Sequence, residues 1–298
     1  MLFSLIVNGQ SLTSIHSDAS VPWWSFTKTV LAATSLSLVQ DGLLGLDDKV
    51  MGEAFTLRQL LRHEAGLSDY REHADYQTAV EERQRAWPAA EMLRRVNAAK
   101  LRYEPGTSWY YSNVGYMFIA RLIEQATGLT LERAIITRAL APLGLSGVRI
   151  ASHPSDLDET YAGNASYYDP AWVYHGLLIG PLSQAALFLD RLLDGHLISH
   201  SLLKQMRTIR WLGGPLPGQP WLTPGYGLGV MQSATDRGHI LCGHTGSGPG
   251  SSVAIYRCAE KNASVCCAIS QQGTGRGEIE ARVVQCIASN LQQLLTER

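Results

Sequence analysis

Hydrophobic and polar positions indicate strands at both ends of the chain. Two apolar runs, Phe3–Val7 and Leu12–Ile15, flank Asn8-Gly9, a dipeptide that suits the positive φ angles of a type I′ turn. Residues 1–17 are therefore predicted to form a β-hairpin. After a Gly/Pro-rich loop at 211–220, four further strands are expected, at about 228–233, 238–244, 251–258 and 263–270.

The stretch between these strands has a mostly helical pattern. A helix is predicted from about Ser25 to Gln40, with Gly42 just beyond its end. Later helix starts are indicated by capping and first-turn residues at Thr56, Pro88, Ser112 or Asn113, and Ser183. A last helix is expected over about 278–296, with one apolar stripe formed by Ile279, Val283, Ile287, Leu291 and Leu294.

This order of elements predicts an α+β fold. An isolated hairpin is barely stable in water, so the N-terminal strands must join the C-terminal ones. We expect an antiparallel sheet of about five strands, flanked by terminal helices and carrying an inserted, mainly helical region. Residues 1–298 then form one catalytic domain, with an α/β part at 1–24 and 225–298 and a helical part at 25–224. A cleft between the two parts is the expected place for a site.

Composition and charge narrow the function classes. Charged residues make up 17% of the chain, below the ~25% of an average soluble domain, which favours a compact enzyme. Lys and Arg total 25 against 26 Asp and Glu, so nucleic acid is not an expected partner. No apolar run approaches the ~20 residues that span a bilayer, so no membrane partner is expected.

Location and metal content follow from the N-terminus and the cysteines. The N-terminus lacks the positive region of a secretory signal, so a cytoplasmic location is expected, or a periplasmic one if a signal was removed. The five cysteines show neither disulfide nor zinc-ligand spacing, and no metal or cofactor is expected.

The candidate chemistry begins with Ser25-Phe26-Thr27-Lys28 at a predicted helix start. Residues i and i+3 share a helix face, so the Lys28 amine can reach the Ser25 hydroxyl. A lysine desolvated beside aromatic side chains, here Trp23-Trp24, has a lowered pKa and can accept the serine proton. The chain holds a second match, Ser201–Lys204, in a polar helix, and it is assigned no role.

Other catalytic signatures are absent from the sequence. There is no Gly-x-Ser-x-Gly elbow and no Gly-Lys dipeptide of a P-loop. His63-Glu64 begins like a zinc-protease helix but lacks the second histidine, and His63 is interpreted as structural. The aromatic segment 165–172 is interpreted as a wall of the substrate cleft.

Two further segments complete a pattern. Tyr111-Ser112-Asn113 places a phenol and an amide at a helix entrance, after Glu104-Pro105-Gly106. His244-Thr245-Gly246-Ser247 ends a predicted strand, and its glycine allows a substrate backbone to approach closely.

With Ser25-x-x-Lys28, these segments resemble the three ordered motifs of serine β-lactamases and penicillin-binding proteins, in their class C-like branch. The segment 60–67 (Leu-Leu-Arg-His-Glu-Ala-Gly-Leu) and Tyr226-Gly227-Leu228-Gly229 are also similar to that branch. The resemblance covers nearly the whole chain and implies a β-lactamase/transpeptidase-like fold.

The resemblance also implies roles for individual residues. Ser25 would attack a carbonyl carbon and form an acyl-enzyme, while Lys28 and Tyr111 share the proton transfers, with the formal base left open. Asn113 would bind the amide side of the substrate. The backbone N–H groups of Ser25 and Ser247 would form the oxyanion hole, and the strand Thr245-Gly246-Ser247 would pair with an extended substrate.

His244 departs from the pattern, because many penicillin-recognising enzymes have Lys at this place. A neutral histidine weakens the case for β-lactam turnover and favours esterases, amidases and D-amino-acid peptidases of the family. If His244 gains charge at low pH, activity on carboxylate-bearing substrates should rise relative to neutral esters between pH 8 and pH 5.

The resulting prediction is a serine hydrolase that cleaves an ester or amide bond in a small-molecule or peptide substrate, with His244 among its catalytic residues. One alternative is an acyl-binding sensor that does not turn over or deacylates slowly. Another is a structural interaction protein. The natural substrate and the oligomeric state are left open.

Overall fold

The fold is taken from a computed structural model, which describes residues 1–12, 17–163, 165, 167–273 and 275–296. The strands are β1 (Leu2–Val7), β2 (Gln10–Leu12), β3 (Ser20–Pro22), β4 (Arg149–Ile150), β5 (Leu178–Pro181), β6 (Arg210–Trp211), β7 (Gly225–Tyr226), β8 (Met231–Ala234), β9 (Ile240–Gly248), β10 (Ser251–Glu260) and β11 (Ala263–Gln272). The α-helices are α1 (Thr27–Gln40), α2 (Leu57–Leu61), α3 (Ala74–Glu81), α4 (Ala89–Arg95), α5 (Asn113–Thr127), α6 (Leu131–Ile135), α7 (Ser155–Asp158), α8 (Leu182–Leu193), α9 (His200–Arg207) and α10 (Arg276–Thr296).

One large antiparallel sheet joins the two ends of the chain. Its strand order is β2-β1-β11-β10-β9-β8-β7-β6, and β1 pairs with β11 from Leu2↔Ser270 to Val7↔Val265. The hairpin at Asn8-Gly9 is confirmed, although Ile15 of its predicted second strand lies outside the described residues. The α+β class is confirmed. Eight strands replace the expected five, because two-residue strands such as β6 and β7 carry almost no periodic signal.

A second, three-stranded sheet supports the start of α1. Its order is β3-β5-β4, with Pro22 paired with Ile179. The Trp23 backbone N–H then donates to the Leu178 carbonyl at 2.8 Å. This small sheet was not predicted, and it anchors the backbone just before Ser25.

Helices cover both faces of the large sheet. On one face α10 buries its stripe, with Ile279, Val283, Ile287 and Leu291 in the core and Leu294 partly buried, as predicted. On the other face α8 packs against β1, β10 and β11. The buried Arg257 side chain of β10 pairs with Asp190 of α8 at 2.8 Å. The division into 1–24 with 225–298 and 25–224 stays a prediction.

The helix α1 is buried on all sides, from Thr27 to Leu38. A helix that is apolar all round belongs in a core, and Lys28 is the one charged residue of α1. Placing an amine there costs free energy unless other groups satisfy it.

The helices α2 and α5 begin at the capping residues that were expected from the sequence. Thr56 forms a capping box with Gln59, and the Ser112 hydroxyl caps α5. No helix in the described ranges is both long and apolar enough to cross a membrane.

Candidate active site

The Ser25 side chain stands on a tight turn at the entrance of α1. Residues Trp24–Phe26 form a short 3₁₀ turn, and Trp24 has a φ of +43°. A left-handed backbone at a bulky residue is strained, and such strain is held in place by surrounding structure. Ser25 lines two adjoining cavities, of about 210 and 410 Å³.

The Lys28 amine lies one turn further and touches three side chains. Its Nζ is 3.3 Å from Ser25 Oγ, 2.7 Å from Asn113 Oδ1 and 3.1 Å from His175 Nε2. The residue is fully buried, and this desolvation lowers the pKa of Lys28 well below its ordinary value. A buried amine with a lowered pKa is suited to accept the Ser25 proton.

The Tyr111 phenol lies against the same two residues. Tyr111 and Ser25 line the same cavity, and Lys28 Nζ is 5.1 Å from the centre of the Tyr111 ring. Burial raises the pKa of Tyr111 to about 12, so the phenol is protonated at neutral pH. Tyr111 is therefore a proton donor in the resting site.

The Asn113 side chain bridges Lys28 to a buried carboxylate. Its Oδ1 accepts from Lys28, while its Nδ2 donates to both carboxylate oxygens of Asp69 at 3.1 and 2.9 Å. Burial raises the pKa of Asp69. The polar atoms of Asn113 are thus engaged within the protein, and its expected contact with substrate stays a prediction.

The strand β9 passes directly beside Ser25. A Cβ on Gly246 would lie 2.6 Å from the Ser25 nitrogen and 2.7 Å from Trp24 Cβ, so only glycine allows this approach. Ser247 lines both cavities, and Thr245 lines the larger one. Ser25 and Ser247 therefore border the same space, and the role of their N–H groups as oxyanion donors stays a prediction.

His244 is enclosed by the protein, unlike a cation that binds substrate. It is fully buried, its Nε2 is 3.0 Å from the Tyr226 hydroxyl, and its Nδ1 is 2.9 Å from the Thr245 carbonyl oxygen. Burial lowers the pKa of His244 to about 3. The expected gain of charge between pH 8 and pH 5 is therefore wrong, because the enclosed imidazole stays neutral throughout that range.

Two further histidines lie beside Lys28 and Tyr111. His175 was missed: it lines the smaller cavity, touches Lys28, and has a buried Nδ1 without a hydrogen-bond partner among the described residues. No spacing rule links position 175 to position 28. His63 accepts a hydrogen bond from the Ser112 backbone N–H and stacks on Tyr111, with ring centres 4.2 Å apart.

The remaining sequence candidates lie around or away from this centre. Tyr168 of the aromatic segment lines the smaller cavity, whereas Trp172 is buried; Ser166 lies outside the described residues. Ser201 and Lys204, the second motif copy, are exposed on α9.

One group of side chains could hold a metal ion within the described ranges. The ligand atoms of His239, Cys258 and Glu260 lie within 4.8 Å of one another. None of the three lines the cavities at Ser25, and His239 Nδ1 already lies 2.8 Å from Glu260 Oε1.

The family model described as Beta-lactamase matches residues 3–288. The chain belongs to this family. It is 25% identical over 285 residues to a D-aminopeptidase of Brucella anthropi, covering 91% of the chain and 53% of that protein. It is 30% identical over 138 residues to penicillin-binding protein 4* of Bacillus subtilis, covering 42% of the chain and 29% of that protein. The chain thus covers about half or less of the length of these two curated relatives.

Solved structures share the fold over nearly the whole chain. D-amino acid amidase from Ochrobactrum anthropi, complexed with L-phenylalanine amide, aligns with a TM-score of 0.79 at 20% identity, over 99% of this chain and 93% of that chain. A D-stereospecific amidohydrolase from Streptomyces sp. aligns with a TM-score of 0.76 at 24% identity, over 94% and 92% of the two chains.

Proposed function

We propose that the protein is a serine hydrolase that cleaves an ester or amide bond through an acyl-enzyme on Ser25. The observation that carries this proposal is the contact of the fully buried Lys28 amine with Ser25 Oγ at 3.3 Å. A neutral amine in that position makes the serine hydroxyl a nucleophile.

In the acylation step Ser25 Oγ bonds to the carbonyl carbon while its proton moves to Lys28 Nζ. The carbonyl oxygen takes the negative charge and is stabilised by the N–H groups of Ser25 and Ser247, each worth about 3 kcal/mol in such a site. The bond to the leaving group then breaks. The leaving group takes a proton from the Tyr111 phenol, which regains one from Lys28.

Deacylation reverses these roles with water as the nucleophile. Water adds to the acyl carbon and gives one proton to the Lys28–Tyr111 pair. The carbon–oxygen bond to Ser25 then breaks, and Ser25 Oγ takes that proton from the pair. The products are a carboxylic acid and free Ser25, so protons and electrons balance without a cofactor.

The relatives favour amide or ester substrates related to D-amino acids, since D-aminopeptidase and D-amino acid amidase are among them. Turnover of β-lactams is less favoured, because β9 carries the neutral His244 in place of a cation.

Stopped-flow kinetics test this function. Wild type mixed with excess p-nitrophenyl acetate should release nitrophenolate in a burst of about one equivalent, followed by steady turnover, and Ser25→Ala should show neither phase. A burst without turnover would instead identify a slowly deacylating acyl sensor. Equal release by both proteins would reject Ser25 as nucleophile.

A further inference from the structure

Three side chains that can ligate a metal meet at the end of the β9–β10 pair that lies away from Ser25. They are His239, Cys258 and Glu260, and their ligand atoms lie within 4.8 Å of one another. His239 directly precedes β9, whereas Gly246, which approaches the Ser25 backbone, lies near the other end of that strand. None of the three residues lines a cavity at Ser25, so the hydrolytic site does not use them.

The pairing of the two strands brings the three side chains together. Cys258 and Glu260 are two residues apart on β10, so their side chains lie on the same face of the sheet. β9 and β10 are antiparallel, with Arg257 opposite Cys242, and this register continued by three residues places His239 opposite Glu260. Side chains directly opposite each other in such a pair have Cβ atoms about 5 Å apart. The meeting of the three residues therefore follows from the backbone.

The distances within this group are close to those between the ligand atoms of a zinc ion. Glu260 Oε1 lies 2.8 Å from His239 Nδ1 and 3.5 Å from Cys258 Sγ. Zinc–ligand bonds of about 2.0–2.3 Å place neighbouring ligand atoms of a tetrahedron roughly 3.4–3.6 Å apart. The sulfur and carboxylate atoms already have this separation, and the imidazole has to move by roughly half an ångström.

The chemistry of the three donors also suits zinc. A thiolate, an imidazole and a carboxylate are all zinc ligands, whereas calcium and magnesium prefer oxygen donors alone. One thiolate and one carboxylate balance the charge of Zn²⁺, so the bound site is neutral. On binding, the Cys258 thiol releases its proton to solvent, and the His239 ring carries its proton on Nε2 while Nδ1 coordinates.

The burial of the group leaves one coordination position open. Cys258 is buried, whereas the side chains of His239 and Glu260 are 18% and 34% exposed. Solvent therefore reaches one side of the group, and a water molecule can serve as the fourth ligand. The expectation that no metal binds rested on the spacing of the cysteines, and this group contains a single cysteine.

We propose that His239, Cys258 and Glu260 bind one zinc ion, which fastens the turn before β9 to the end of β10. The proposal does not depend on the acyl-enzyme at Ser25. The rival outcome is a purely hydrogen-bonded group, in which Glu260 accepts from both His239 and Cys258 and no metal binds.

Titration with Co²⁺ tests the proposal, because cobalt takes the place of zinc and reports a thiolate ligand. Protein without a histidine tag is dialysed against EDTA, freed of the chelator and titrated with Co²⁺. Coordination by Cys258 should produce a thiolate-to-cobalt charge-transfer band in the near ultraviolet that saturates at one equivalent. Added Zn²⁺ should abolish this band. Zn²⁺ should also raise the Tm of the protein, because it binds the folded site.

Substitutions identify the ligands. Cys258→Ser should lose the charge-transfer band. His239→Gln and Glu260→Gln, at partly exposed positions that spare the core, should weaken Co²⁺ affinity by at least about 100-fold, since losing an outer-shell partner alone costs about 10- to 100-fold. The matched controls are Cys286→Ser, at another cysteine that is partly exposed, and His196→Gln, at a histidine that pairs with a carboxylate without a cysteine among the described residues. Both controls should keep the band, and circular dichroism checks the folding of every variant.

Three results would overturn the proposal. They are the absence of a charge-transfer band in wild type, a Zn²⁺ dissociation constant weaker than about 1 mM, and a band that survives Cys258→Ser but vanishes in Cys286→Ser. The nitrophenolate burst should be the same in wild type, in EDTA-treated wild type and in His239→Gln. Failure of the burst in wild type would therefore count against Ser25 alone, and failure of the cobalt titration against the zinc site alone.

Discussion

Replacing His175 by Phe tests how Lys28 is prepared for catalysis. The variant keeps an aromatic ring of similar size but removes the Nε2 atom that lies 3.1 Å from Lys28 Nζ. A protonated Lys28 has three N–H donors and three partners, namely Ser25, Asn113 and His175. The variant leaves one of these donors without an acceptor in a buried place.

The magnitude follows from that lost contact. A hydrogen bond to a charged group contributes about 1.5–3 kcal/mol, and the charge on Lys28 arises as Ser25 gives up its proton. The acylation rate constant should therefore fall by about 10- to 150-fold. Because the charged amine loses stabilisation, the pKa of Lys28 falls further, and the acidic limb of the kcat/KM profile moves to lower pH.

The assay is the pH profile of kcat/KM for p-nitrophenyl acetate, with acylation measured by stopped flow. His175→Gln retains an acceptor at a similar reach and should recover part of both effects. A purely structural role would lower activity without moving the acidic limb. An unchanged rate, or a limb that moves to higher pH, would refute the assignment of His175 as a positioning residue for Lys28.

Three other predictions concern single residues of the site. Lys28→Ala should lower the acylation rate by at least ~100-fold, the scale of general-base loss, and unchanged burst kinetics would contradict it. Gly246→Ala should displace the Ser25 turn and cost about 1–3 kcal/mol of unfolding free energy together with most of the activity, since its Cβ would lie 2.6 Å from the Ser25 nitrogen. Gly214→Ala, with open space around it, is the control for urea denaturation and esterase assays. The pKa of His244 is about 3 in the folded protein and roughly 6.5 in the unfolded chain, so acidification should reduce stability. Between pH 7 and pH 5 the unfolding free energy of wild type, measured relative to His244→Gln, should fall by about 2 kcal/mol. A constant difference would count against a buried neutral imidazole.

The elements with strong local signals could be predicted from the sequence. Asn8-Gly9 defined the first hairpin, Ser112 and Gly128 bounded α5, and the stripe of α10 pointed inward as its period indicated. These features depend on turn geometry, capping and periodicity, which act over a few residues.

The missing parts depend on contacts between distant residues. The small sheet uses strands of two to four residues, too short for a period, and its pairing of Pro22 with Ile179 crosses most of the helical region. Asp69 and His175 reach the site only because the chain folds around Lys28. Burial of His244 likewise comes from the packing of β9 against Tyr226. Residue type alone therefore could not predict that the His244 side chain is neutral.

The most direct test of the account is the mass of the protein during turnover of a p-nitrophenyl ester. Acid-quenched wild type should carry one added acyl group, and peptide mapping should place it on the peptide that contains Ser25. Ser25→Ala should carry no acyl group under the same conditions. An adduct on another residue, or turnover by wild type without any adduct, would contradict the Ser25 acyl-enzyme.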